Sequence, residues 1–132
     1  MANWNGSARS NYVRVNDREL FLAWAQSLPD VEIVEKEGAF ALLATTDDGG
    51  WSLLRSREDQ EDEPIDLAAE MAEHLAVGEV CIFQEVGAEK LRYLSGSALA
   101  VNRAGETLQI SIDDIYALVR ERWNINPSLA QY

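Results

Sequence analysis

Hydrophobic and polar positions along this chain fall into short blocks whose period switches between two and about 3.6, as in a domain that mixes strands with amphipathic helices. Tyr12, Val13 and Val15 predict a short strand ended by Asn16-Asp17. Asn16, with Glu19 three residues on, has the form of a capping box. Leu20, Phe21, Trp24 and Leu28 then recur at helical spacing, and Pro29 follows the helix end. Val31 to Glu35 alternates in part and predicts a strand, after which Glu37-Gly38 turns the chain into the apolar run Ala39 to Ala44. Asp47-Asp48-Gly49-Gly50 is a hairpin signal, because glycine accepts positive φ, and Trp51 to Leu54 predicts the returning strand.

Beyond Pro64, Ala68, Met71, Ala72 and Leu75 mark a second amphipathic helix that stops near Gly78. Val80 to Phe83 is apolar on both faces, which places it centrally in a sheet. Leu91 to Val101 and Thr107 to Ile112 predict two more strands joined by a turn over residues 102–105. The alternation of Leu108, Ile110 and Ile112 predicts one buried and one wet face, and a third helix carries Ile115, Leu118, Val119 and Arg122 on one side. The expected fold is therefore α+β, a mostly antiparallel sheet with three helices in the order β-α-β-β-β-α-β-β-β-α. Helix-strand-strand-strand occurs twice, from Asp17 to Leu54 and from Asp66 to Ile112, a spacing compatible with an internal duplication. Residues 1–132 read as one domain, with 1–10 and 124–132 as polar ends that fray or, for the tail, pack across the body. An apolar third helix or strand edge would permit a dimer, although the pattern needs no second subunit.

Charge changes this picture. The net charge is −12, and half of it lies in the nineteen residues Arg55 to Glu73, where eight acids meet two bases. Those acids (Glu58, Asp59, Glu61, Asp62, Glu63, Asp66, Glu70 and Glu73) are the candidate partner-binding residues. Such a surface repels nucleic acid and attracts basic protein surfaces. The first 29 residues carry Arg9, Arg14 and Arg18 but only a net +1, too little for a nucleic-acid footprint. A chain of 132 residues with 47% apolar composition is long enough to bury about two-thirds of its unfolded surface. No apolar run reaches the roughly 18 residues a membrane span needs, and Met1 to Ser10 lacks a signal-peptide core. The lone Cys81 fits a reducing compartment, so the expected location is the cytoplasm. Asn5-Gly6-Ser7, which matches a glycosylation sequon, is then incidental.

Candidate chemistry is sparse. Asp59, Glu61, Glu63 and Glu70 occupy positions 1, 3, 5 and 12 of an EF-hand count, but Pro64 stands where that loop needs glycine. A solvated loop leading into a helix, with Asp66 favouring the helix start, is the expected structure. His74 reads as structural or exposed, and Cys81, between Val80 and Ile82-Phe83, as a buried inert thiol. A cysteine–histidine pair would need a reactive thiolate, which apolar surroundings oppose. There is no phosphate-binding loop, nucleophile elbow, paired cysteines or zinc-protease helix motif, so no catalytic residue, metal or cofactor is assigned. Trp24 belongs to the first helix stripe and Trp51 is expected to be half-buried; Trp123 is expected to pin its end to the body, and Trp4 is open.

Ser7 to Val15 followed by Asp17-Arg18-Glu19, together with Val86 to Tyr93 and Ser111 to Tyr116, resembles small acidic proteins of unassigned role from bacterial plasmids, integrative elements and phages. That resemblance brings no catalytic residues. It implies genomic company that includes inhibitors of host defence, of anti-CRISPR and anti-restriction type, some of which imitate the charge of DNA. The leading expectation is a non-enzymatic inhibitor whose carboxylates cover a basic nucleic-acid-binding surface on a bacterial defence complex. The alternative is an accessory or immunity-type module with one cognate protein partner, recognised through an apolar groove or sheet face, in which the acidic stretch is incidental. Neither reading involves direct contact with nucleic acid or membrane.

Overall fold

Local chemistry sets most element boundaries in the computed structural model, which describes residues 4–57 and 60–130. The chain runs β1 (Trp4–Ser10), α1 (Arg18–Gln26), β2 (Val31–Lys36), β3 (Ala39–Ala44), β4 (Leu54–Arg57), β5 (Gln60–Pro64), α2 (Leu67–Ala72), β6 (Val80–Glu89), β7 (Tyr93–Asn102), β8 (Thr107–Ser111) and α3 (Asp114–Trp123). The α1 cap is Asp17 rather than Asn16: its side chain accepts from Leu20 N at 3.1 Å, while the Asn16 N–H is taken by the His74 carbonyl. Asp66 caps α2 in the same way, through Ala69 N. Glu37 and Gly38 both adopt positive φ and close the β2–β3 hairpin, as a two-residue turn of that hand requires.

The fold is α+β, in the expected element order with β5 added. Six antiparallel strands form one sheet in the order β2-β3-β1-β6-β7-β8, and β4-β5 form a small second sheet. Three sequence expectations need correcting. Residues 4–10 do not fray: they form β1, paired with β6 along its whole length and with β3 at Arg9–Leu43. Their polar side chains hid a strand whose support comes from partners far along the chain. Val13 and Val15, taken as the first strand, make only isolated bridges, to Phe40 and Leu75. The turn at residues 46–50 exists, with Gly49 at positive φ, but it closes no hairpin, because β4 leaves the sheet and pairs with β5. For the same reason the two helix-strand-strand-strand units are not equivalent. The first contributes two strands to the large sheet and meets β1 through its last, whereas the second contributes three and meets β1 through its first.

One face of the sheet is covered by α1, α2 and the segment leading into α2. Phe21 and Ala25 from α1, with Leu28 just past its end, join Phe40 and Leu42, then Met71 and Leu75, and on β6 and β7 Cys81, Phe83 and Val101 in one core. Each large apolar side chain fully buried here contributes about 1.5–3 kcal/mol. Leu20, placed on the α1 stripe by its spacing, is instead exposed, because the buried stripe runs through Phe21 and Ala25.

Among the described residues no element covers the opposite face. Register puts Ile82, Ala100 and Leu108 in one row and Ala98 beside Ile110 in the next, all away from the core residues Cys81 and Val101. The alternation of β8 is therefore real, but its apolar side is the wet one: Leu108 is 77% and Ile110 65% exposed. The stripe expected on α3 is also solvent-facing, since α3 buries none of its residues, and Trp123 is exposed rather than pinned. Among the described residues no helix is long and apolar enough to cross a membrane.

Candidate functional site

The acidic stretch is a β-hairpin followed by a capped helix, not a solvated loop. Leu54 faces Pro64 and Arg55 faces Glu63 across β4 and β5, and Ile65 N donates to the Leu53 carbonyl at 2.8 Å. A Gln-Glu-Asp-Glu-Pro strand has little intrinsic propensity. What ties it down is Arg55, which lies 3.6 Å from Glu63 and donates to Glu70 at 2.9 Å.

This arrangement divides the eight candidate carboxylates. Glu70 accepts from both Arg55 and the Trp24 indole N–H, the latter at 2.8 Å, and so joins the hairpin, α1 and α2. Burial pushes its carboxyl up, but the hydrogen bonds from Arg55 and Trp24 and the Arg55 charge outweigh that and hold it below the usual value. Glu63 is bound to Arg55, and Asp66 is the α2 cap. Glu61, Asp62 and Glu73 are exposed and have no ion pair among the described residues. Glu58 and Asp59 lie outside the described residues. Glu63 and Glu70, two members of the EF-hand count, are thus committed to Arg55, and among the described residues no group of three His, Cys, Asp or Glu is placed to hold a metal.

Directly beyond the hairpin, Ile65 and Asp66 form part of the wall of a cleft of about 460 Å³ on the covered side of the sheet. Trp51 and Phe83, ring centroids 5.5 Å apart and perpendicular, and Leu99 supply apolar walls. Glu85 and Asp66 bring two carboxylates, and no basic side chain lines the space among the described residues. Glu85 is held by a long contact from Trp51 N at 3.4 Å, and the Trp51 indole N–H is buried without a hydrogen-bond partner. The volume lies within the range of ordinary ligand sites. Sequence reasoning singled out Asp66 and weighed Trp51 alone, but not Phe83, Glu85 or Leu99, because the set is assembled from four separate segments. The one local signal was Glu85, a charge on the inward alternation begun by Cys81 and Phe83.

His74 and Cys81 are both close to the core but are not hydrogen-bonded to each other. The His74 ring stacks on Trp24 at 4.9 Å, and burial lowers its pKa. Cys81 is fully buried, and burial pushes its thiol up to about 12. Searches of protein-family models, curated proteins and solved structures gave no match to this chain.

Proposed function

We propose that this chain is a non-enzymatic protein-binding protein that engages a basic surface on its partner, with a lysine or arginine side chain entering the Trp51–Phe83 cleft. The observation that carries this reading is the cleft itself: aromatic walls and two carboxylates, with no basic side chain among the described residues that line it. A long cationic side chain has the matching chemistry, an aliphatic stem for apolar walls and a charged head for carboxylates and aromatic faces. The exposed Glu61 and Asp62, on the hairpin leading into the cleft, extend the same charge outward. Together with the resemblance to acidic proteins of mobile elements, this supports an inhibitor that covers the nucleic-acid-binding surface of a bacterial defence complex.

The test is retention of protein from nuclease-treated bacterial lysate by the wild type, by Glu85→Gln, and by the pair Glu61→Gln with Asp62→Asn. Retention lost in both variants, and shed from the wild type at high salt, supports the reading. A partner held equally by all three at high salt overturns it in favour of the accessory or immunity-type module. That second reading is favoured by the exposed apolar residues of β8 and α3.

A further inference from the structure

We propose that β8 and α3 form the two-fold interface of a homodimer, an inference independent of the cleft reading above and one that gives the apolar residues of β8 and α3 to a second copy. The sheet has two edges, and they differ in kind. The β2 edge carries Glu32, Glu35 and Lys36, charges of the sort that keep an edge strand from pairing with another molecule. The β8 edge, Thr-Leu-Gln-Ile-Ser, has no charge, no proline and no register shift against β7, and its Leu108 and Ile110 are exposed. It is a pairing edge left open.

The helix that follows makes the same point. A ten-residue helix is marginal in water without tertiary packing, yet α3 buries nothing. Ile115, Leu118 and Trp123 are exposed on it, an apolar surface that needs a partner.

Charge selects a second copy as that partner. Residues 107–132 carry three acids and two bases, so nearly all of the −12 lies elsewhere and self-association here brings little like charge together. The two ends of α3 differ in net sign: Asp113 and Asp114 stand at the start, while the last turn carries Arg120 and Arg122 around Glu121, a net +1. An antiparallel copy sets each acidic end against a basic end, a self-complementary match that only a two-fold axis provides. The same axis pairs β8 with its own copy in antiparallel sense and continues one six-stranded sheet into the next. A basic partner protein would be drawn to the acidic hairpin, not to this nearly neutral end.

Light scattering during gel filtration of the full chain tests this. The expected mass is twice the 14.7 kDa of the chain, unchanged by high salt. Ile110→Lys, a guard charge on the edge, and Leu118→Glu are each expected to give monomers with unaltered circular dichroism, since neither residue touches the core. Arg120→Glu with Arg122→Glu is expected to weaken the dimer at least tenfold, and adding Asp113→Lys and Asp114→Lys to restore it, a rescue that misfolding does not mimic. A wild type that stays monomeric at high concentration, or a dimer indifferent to all of these changes, overturns the proposal.

Discussion

Replacing Glu70 with glutamine separates its role from that of the other acids. Glu70 is 28% exposed at its side chain and joins Arg55, itself 22% exposed, to the Trp24 indole. The glutamine keeps an oxygen that can accept from one of these donors, but it leaves the half-buried guanidinium with only Glu63, 3.6 Å away. Breaking a fully buried ion pair costs about 3–5 kcal/mol, and losing a hydrogen bond to a charged group about 1.5–3. Partial exposure here points to the lower range, about 2 kcal/mol. For a domain of this size that lowers the melting temperature by roughly 6–10 °C. Urea unfolding at pH 7, followed by circular dichroism, measures it directly. The sign with pH follows from a carboxyl held below its ordinary 4.5: the stabilisation is complete above that value and is lost as pH falls through the folded-state value. The gap between wild type and Glu70→Gln therefore closes in acid. In a cycle with Arg55→Met, the double variant is expected to be no worse than the worse single one. A cost below about 0.5 kcal/mol, typical of surface substitutions, would refute the strut and return Glu70 to the free acidic face.

Three further outcomes follow from the packing. Leu75→Ala empties a site that is fully buried among α1, α2 and the sheet and is expected to cost about 2–5 kcal/mol in the same urea titration. Cys81 is expected to resist an aromatic disulfide reagent under native conditions and to react only as fast as the chain unfolds. Because its pKa rises from an ordinary 9.0 to about 12, the stability it contributes is complete below pH 9 and declines as pH rises toward 12, which melting temperatures across that range report. Gly49→Ala is expected to cost more than Gly105→Ala. Both positions have positive φ, worth about 1–2 kcal/mol against alanine, but a methyl at 49 would also strike the Gly6 backbone, whereas 105 faces open space.

Most of the framework was legible in the chain, and the misses share a cause. Phe21 and Leu28, the Glu37-Gly38 turn and the β6–β7–β8 meander follow from local period and turn chemistry. β1 was missed because Asn5, Gly6 and Ser7 lack strand propensity. Gly6 has no room for a side chain, as the Asp48 carbonyl and the Trp4 indole already fill the space a Cβ would take. β5 was missed because what holds it is an arginine on the neighbouring strand. With β8 the period was right and the assumed inside wrong, since alternation marks two faces but not which one the helices cover. Of the candidate carboxylates, charge density picked out the hairpin. Which acids stay free depended on where Arg55 and Trp24 lie, and nothing local encodes that.

The position of β1 bears on how the chain is made. It is synthesised early yet lies between β3 and β6, and its longer pairing is with a strand that ends at Glu89. At ribosomal speeds of roughly 5–20 residues per second, residues 4–10 wait on the order of 4–16 s for that partner. An apolar strand left unpaired for so long would invite association between nascent chains. A strand rich in asparagine, serine and arginine stays hydrated until its place in the sheet exists, so the polarity that concealed β1 is also what lets it wait.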